Sequence, residues 1–373
     1  ASSTPWHLGP TFSLAGSDVH NFNLMLYLSL VLTFSMLVMA VINTRQIRIP
    51  RNGRDVDASV AVLLPVRNEC ANIVDLVATL KDQKGISDLK FYFLDDDSED
   101  DTAELLKREI AGDSRFSVTS GSALPEGWLG KPWALEQLRS KIKAEYLVSI
   151  DADVRLTPLA ISAAVNLLID QELDFVSPYP RQIANSFGER MIQPLLHWSW
   201  LSTVPLRYAE KSGKPSFAVA NGQFFVVRES ALTSISGYSA ISASVLDDVE
   251  LARTLLRNGF KGTVADGVHL ATCHMYSSWA QVKAGYGKSL WSAFSNPLGA
   301  TLAIAFIFLT GIAPVLMLIS GDPIGLFTYL LIVLTRLLSA QRSGGRLLDS
   351  LLHPISSAIL IYLIIYSWRM RGK

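Results

Sequence analysis

The chain has 373 residues, of which 49% are hydrophobic and 18% charged, with 33 basic side chains against 33 acidic ones. This is too apolar for an ordinary soluble protein and excludes a disordered one, while zero net charge disfavours a nucleic-acid partner. The two cysteines, Cys70 and Cys273, lie far apart without CxxC spacing, so neither a disulfide framework nor a zinc site is expected.

The first 23 residues carry no Lys or Arg. The run "LMLYLSLVLTFSMLVMAVI" (24–42) that follows is uncharged and meets the length of about 20 residues a bilayer requires. It does not read as a cleaved signal peptide, since no basic residue precedes it and no small-residue cleavage site follows. Arg45, Arg48, Arg51 and Arg54 come next. The positive-inside rule therefore predicts an extracytoplasmic N-terminus (1–23), a transmembrane helix (24–42) and a cytosolic continuation.

Residues 57–290 alternate between β-rich runs and helical patterns. "SVAVLLPV" (59–66) is a continuous apolar run of the kind found in buried parallel strands. A helix follows, with Ile73, Val74, Leu76, Val77 and Leu80 as its apolar positions. "LKFYFLD" is the next strand, and "DDTAELLKREIAG" is a helix, acidic at its start and basic at its end. "FSVTS" (116–120) and "EYLVSID" (145–151) continue the series. Alternating strands and helices predict βαβ units and a mainly parallel sheet, whose ligands sit at the carboxyl ends of the strands.

Acidic residues cluster at those ends. "LDDDSED" places Asp95, Asp96 and Asp97 at a strand end, while Asp100 or Asp101 suits the cap of the next helix. Three adjacent carboxylates repel one another, so a cation or hydrogen-bond donors are expected nearby. In "IDADV", Asp151 and Asp153 point the same way from an extended segment and could hold a hard divalent cation with substrate phosphates; an acidic turn is the alternative. "VLDDVELARTLLRNGF" reads as a helix with apolar positions 245, 249, 252 and 256, opened by Asp247 and Asp248. Either acid could cap the helix, or serve as general base at a pocket rim.

"FGERMIQPLLHWSWLSTVPLRYAE" (187–210) and "SSWAQVKAGYGKSLWSAF" (277–294) carry Trp198, Trp200, Trp279 and Trp291 and suit helices lying in the membrane interface. Three further apolar segments, 298–319, 323–338 and 354–368, are expected to span. Three C-terminal spans would leave Arg369, Arg371 and Lys373 outside, against the positive-inside rule, unless one segment is re-entrant.

Taken together, the motifs resemble the GT-A glycosyltransferases of family two. "LLPVRNE" (63–69) is similar to that family's opening strand, "LDDDSED" to its "DDxSxD", "DAD" to its DxD and "LDDVEL" to its catalytic helix. "GWLGKPWAL" (127–135) is similar to the segment facing the diphosphate, and "ANGQFFVVRES" (220–230) to the acceptor-side strand and helix. The resemblance covers about residues 59–291, and "GWxGKxWA" is most similar to the lipid glycosyltransferases acting on carotenoids or hopanoids. It implies an α/β, Rossmann-like GT-A domain (57–294) on the cytosolic side, in a bacterial cytoplasmic membrane.

By position, the resemblance implies that Pro65, Arg67, Glu69, Asp95 and Asp96 line the nucleoside pocket and that Lys131 meets the diphosphate. Asp151 and Asp153 would hold Mg²⁺ or Mn²⁺, with His274 of "HMY", where relatives show "RMY", as a further ligand. Asp248 would be the base of a metal-dependent inverting hexosyltransferase, with Asn221, Gly222, Gln223, Asp247, Trp279 and Trp291 on the acceptor side. UDP is the expected nucleotide, and a membrane lipid the expected acceptor. Gln281 has no Arg-Trp three residues on, which departs from the "QxxRW" of processive synthases and favours a single transfer. A polyprenyl-phosphate glycosyltransferase and a non-catalytic membrane partner are the alternatives.

Overall fold

The computed structural model describes residues 16–51, 54–294 and 296–371. Residues 1–15 of the expected extracytoplasmic segment, and Lys373, lie outside the described residues. Helix α1 (Gly16–Gln46) outruns the expected span at both ends. An uncharged run offers nothing to stop it until Arg45 in its last turn, where a cation complements the helix dipole.

The α/β region then follows the predicted alternation. Strand β1 (Val56–Val66), helix α2 (Cys70–Lys81), strand β2 (Ile86–Asp95), helix α3 (Thr102–Ile110) and strand β3 (Phe116–Ser120) come first. Next are α4 (Gly130–Arg139), β4 (Tyr146–Ile150), β5 (Val154–Leu156), α5 (Ala160–Asp170), β6 (Phe175–Tyr179) and β7 (Arg181–Gln182). After α6 (Phe187–Thr203) and α7 (Leu206–Ser212) the chain returns through β8 (Phe224–Arg228), α8 (Glu229–Ser234), α9 (Asp247–Arg257), β9 (Gly262–Asp266) and β10 (Ala271–Cys273).

Seven strands form one sheet in the order β3-β2-β1-β4-β8-β6-β9. All neighbours are parallel except β8, which is antiparallel to both β4 and β6. Period-two alternation divides each strand between two cores. Val60, Val62 and Leu64 of β1 face the α2 and α5 side, and Ala61 and Leu63 face the α4 and α9 side. The short strands β5, β10 and β7 make a second sheet, pairing Cys273 with Val154.

Helix α10 (Trp279–Ala293) leads into α11 (Pro297–Ile307), which continues through a π-helical turn at Phe308–Ile312 into α12 (Ala313–Ile319). Helices α13 (Pro323–Ser343) and α14 (His353–Met370) close the chain. Four helical stretches, Leu24–Gln46, Pro297–Ile319, Pro323–Ser343 and Leu347–Met370, are long and apolar enough to cross a membrane. Arg371 lies 4.7 Å over the Trp291 ring, and Ser367 joins α14 to Gly287 of α10 by a hydrogen bond of 2.7 Å.

Three expectations need correction. The 187–210 segment is two helices, because Pro205 forces Val204 into extended geometry. Trp198 and Trp200 are not interface residues: they are 5% and 7% exposed. Trp198 Nε1 donates to Thr335 Oγ1 of α13 at 2.8 Å, and Trp200 packs 4.5 Å from His197 and 5.5 Å from Tyr179. Helix α6 is covered by α1, α13 and α14, so its aromatics are core. In α9 the expected positions 252 and 256 are buried, together with Leu251 and Leu255, while 249 is only half-buried and 245 precedes the helix, which starts at Asp247. At the α6–α7 break, Asn43 of α1 donates to the carbonyls of Leu201 and Val204 at 2.8 and 2.7 Å, and accepts from Leu206 N–H at 3.2 Å.

Candidate active site

The carboxyl ends of β1, β2 and β4 finish at one edge, with Val66 and Asp95 in register. The two loops beyond them are joined. Asn68 accepts from Glu99 N–H at 2.8 Å and donates its own N–H to Ser98 Oγ at 3.0 Å, while Glu69 N–H reaches Thr102 Oγ1 at 2.7 Å. Asp100 accepts from Thr102 N–H and Oγ1 and from Cys70 N–H, bonds that hold its carboxyl down at about 2. It therefore anchors the loop, as a capping acid should. Asp95 accepts from Ser98 Oγ at 2.5 Å. Asp97 is exposed at φ +59°, a left-handed conformation that Asp tolerates better than most residues.

Asp96 is tucked against Gly121 and Gly130, where an added Cβ would stand 3.3 Å from its oxygens. Burial raises its pKa, with Arg67 opposing and Asp95 adding. Burial likewise raises Glu69, against a hydrogen bond from Asn72 of 2.7 Å. Pro65 is half-buried at the end of β1. Asp95, Asp96 and Glu69 thus lie at the carboxyl ends of β1 and β2, with Ser98 and Asn72 donating to two of the three.

Lys131, in the first turn of α4, sits among three carboxylates, Asp151 after β4 and Asp247 and Asp248 of α9. Its Nζ is 2.6 Å from Asp151 Oδ1 and 3.9 Å from Asp247 Oδ2. Burial alone would depress the ammonium, but Asp151 and Asp247 outweigh it and raise its pKa. Asp248 Oδ2 accepts from Gly222 N–H at 2.8 Å and its Oδ1 from Val249 N–H at 2.7 Å. A Cβ at Gly222 would lie 3.1 Å from Lys131 Nζ and 3.4 Å from Asp248 Cβ, so the backbone here passes close to both side chains. Burial first, then the neighbouring Asp247, pushes Asp248 up to about 6, and burial raises Asp247 as well. Asn221 and Gln223 are buried supports: Gln182 donates to Gln223 Oε1 at 2.7 Å, and Ser177 bonds both backbone groups of Asn221.

Asp153 precedes β5, and its Oδ1 is buried with no hydrogen-bond partner. Burial, then Asp151, pushes it up to about 6, and the same burial raises the adjacent Cys273 thiol. His274 donates its backbone N–H to Asp153 O at 3.3 Å, while its Nε2 lies 3.6 Å from Glu189. Among the described residues no three His, Cys, Asp or Glu side chains gather as a ready-made cation site. The donor set still fits a hard cation carried in with phosphates, since such ions need only one or two protein carboxylates and Asp153 has a free buried oxygen.

On the far side of Asp248 a cleft of ≈ 570 Å³ opens between α6 and α10. Its walls are mostly apolar, with Leu196, Leu246, Val249, Met275 and Leu290, and Asp248 lies in its lining. Tyr286 of the 277–294 aromatic segment also lines it, as do three residues that sequence reasoning missed, Tyr179, Tyr276 and Arg253. Of these three, only the position of Tyr276 inside "HMY" gave a signal; the other two come in through the fold alone. Trp279 and Trp291 do not line this cleft. Trp279 packs on Gly188, where a Cβ would come within 2.8 Å of its ring, and Trp291 lies under Arg371.

Residues 61–235 match the family described as Glycosyl transferase family 2. Among solved structures, the chain is similar to the mannosyltransferase PcManGT from Pyrobaculum calidifontis in complex with GDP-Man and Mn²⁺. The identity is 15% and the TM-score 0.55, over 93% of this chain and 97% of that one. It is also similar to glucosyl-3-phosphoglycerate synthase from Mycobacterium tuberculosis, in complex with Mn²⁺, uridine-diphosphate and glucosyl-3-phosphoglycerate (19%, TM-score 0.42, 64% of this chain and 80% of that one). Similarity extends to S. aureus TarS 1-349 in complex with UDP (13%, TM-score 0.41, 77% and 92%). No curated protein matches the chain.

Proposed function

We propose, from the GT-A fold and the match of residues 61–235 to a family-2 glycosyltransferase model, an inverting transferase that moves a hexose from a nucleotide-diphosphate sugar, UDP-linked by expectation, to a hydroxyl or carboxyl of a membrane lipid. A carotenoid- or hopanoid-like acceptor is the type favoured by the "GWLGKPWAL" segment. The observation that carries the proposal is the position of Asp248. It is held by two backbone N–H groups, beside Lys131 and Gly222 on the sheet edge, and lines the apolar cleft on its other side.

In this reading Pro65, Arg67, Glu69, Asp95 and Asp96 receive the nucleoside, whose base N–H and ribose hydroxyls would donate to these half-buried acids. Asp153 and Asp151, with His274 as third candidate, would hold Mg²⁺ or Mn²⁺, which when bound neutralises charge on the diphosphate. Lys131 stays protonated and turns from Asp151 towards the leaving phosphates. Asp248 takes the proton of the acceptor hydroxyl as its oxygen attacks the anomeric carbon. The C–O bond to the diphosphate breaks with its electron pair, and no enzyme-bound sugar forms. A base near 6 is ionised at neutral pH yet still basic enough to accept the proton. Asn221, Gly222, Gln223 and Asp247 frame the acceptor side, with Trp279 and Trp291 on the helix that brings the lipid to it.

The test is incubation of membranes holding the full chain with labelled nucleotide sugars and extracted lipids, beside Asp248→Asn. Label in a lipid product that disappears in the variant supports the reading. Hydrolysis or polymer alone overturns it. Undiminished transfer by Asp248→Asn would instead indicate an acceptor that is already an anion, such as a polyprenyl phosphate.

A further inference from the structure

The segment that joins α1 to β1 is fastened to the α/β domain. Ile47 is buried in one cluster with Trp200 and Leu206. The Arg48 carbonyl accepts from Asp266 N–H at 2.8 Å, Pro50 O accepts from His269 Nε2 at 2.8 Å, and Arg54 O accepts from Asn166 Nδ2 at 2.7 Å. These bonds pin the segment to β9, the turn after it and α5. Between the end of α1 and α5 they leave an open cavity of ≈ 570 Å³, lined by Arg45, Arg48, Arg51 and Arg54 together with Asn166 and Asp170.

The charges of this cavity do not balance. Arg54 pairs with Asp170 at 2.6 Å, and Glu210 holds Arg48 through two bonds of 3.1 and 2.9 Å. Among the described residues no carboxylate oxygen lies within 4 Å of the Arg45 or Arg51 guanidinium, and both residues are exposed. Orienting α1 in the bilayer requires only their charge, not a cavity or a pinned backbone. Guanidinium groups that line a cavity take an anion with phosphate-type oxygens. A head group that brings its own ammonium gains less, because Asp170 and Glu210 are already engaged. The adjoining surface of α1 points to the source of the anion. Val31, Phe34, Val38 and Ile42 are exposed at helical spacing, and Arg45 follows them on the same face. An apolar strip that ends on an unpaired guanidinium matches a molecule with hydrocarbon chains and an anionic head.

We propose that the junction of α1 and α5 is a binding site for a phospholipid of net negative charge, its phosphate received by Arg45 and Arg51 and its acyl chains lying along the exposed face of α1. The site is independent of the role of Asp248 and of what the acceptor is. Through the pinned segment, a lipid bound there fastens the α/β domain to the leaflet in which α1 ends.

The test uses the full chain in nanodiscs of mixed phosphatidylcholine and phosphatidylglycerol, from which the protein is released with its bound lipids for native mass spectrometry. The wild type should retain phosphatidylglycerol over phosphatidylcholine by about 10-fold or more, the preference that two arginines beside an anionic head group provide. Raising the salt concentration should reduce it, because exposed charges are screened. Arg45→Gln combined with Arg51→Gln should bring it to about 2-fold or less, with Tm in pure phosphatidylcholine unchanged. A charge-matched control, Lys211→Gln combined with Arg346→Gln at exposed cations outside the cavity, should keep it. If the first variant loses Tm in phosphatidylcholine, the salt dependence of the wild type decides. Equal retention of both lipids by the wild type, indifference to salt, or an unchanged preference in a stable Arg45 and Arg51 variant overturns the inference. So does an equal loss in the control, which means diffuse attraction to the surface, or displacement of the retained lipid by inorganic phosphate at matched concentration, which means a free anion in place of a lipid.

Discussion

As the proposed base, Asp248 would owe its reactivity to opposed neighbours. Burial and Asp247 raise it, whereas Lys131 and two backbone N–H groups pull the other way, leaving it at about 6. A base works ionised, so transfer should rise with pH through a limb near 6. Asp153 titrates in the same range, so the limb belongs to both acids. Removing the cation in Lys131→Met disfavours ionised carboxylates, and the limb should move to higher pH in a kcat profile. Asp248→Asn should lower kcat by about 10²–10⁴-fold with nucleotide-sugar affinity retained by calorimetry. Asp97 belongs to a different kind of constraint. Its φ of +59° is a left-handed conformation that glycine adopts without strain. Thermal unfolding should find Asp97→Gly at least as stable as the wild type, and Asp97→Val less stable by about 1–2 kcal/mol.

Whole elements divide into those the sequence could and could not reveal. β1, β2, β3 and β4 were legible because buried parallel strands are continuous apolar runs with acids at their carboxyl ends, and Asp95 and Asp151 sit where that pattern puts them. α6 was misread because bulky apolar residues with Trp198 and Trp200 look alike whether a helix floats in an interface or is enclosed by α1, α13 and α14. The Lys131–Asp151 pair and the tyrosines of the cleft depend on contacts between distant segments, and no local period encodes them. Close element packing also makes a sharp prediction at the β6–β9 pair. A Cβ at Gly262 would stand 2.3 Å from the Phe175 ring, which itself stacks on Phe225 at 5.5 Å. Gly262→Ala should therefore destabilise by about 1–3 kcal/mol in chemical denaturation, with no change in the pH limb.

At the scale of the molecule, the helices suited to a bilayer pack on one another and on α6 and α10, and Asp248 of the α/β domain lines the cleft between those two. The basic residues after α1 predict that this domain lies in the cytosol. Cys70 is exposed and Cys273 buried, so a membrane-impermeant maleimide should modify Cys70 in inverted vesicles and spare it in intact cells. Labelling in intact cells would reverse the orientation. Asn43 connects the two halves: from α1 it fills both carbonyls and the N–H exposed where α6 gives way to α7. Under the proposed reading, α1 would act as a tiller on one wall of the cleft that receives the acceptor. A change in hydrocarbon thickness that tilts α1 should widen or narrow that wall, so turnover in reconstituted bilayers should vary with acyl-chain length while nucleotide affinity stays constant. Asn43→Ala should flatten that dependence, which would make the thickness of the surrounding membrane an input to this enzyme's rate.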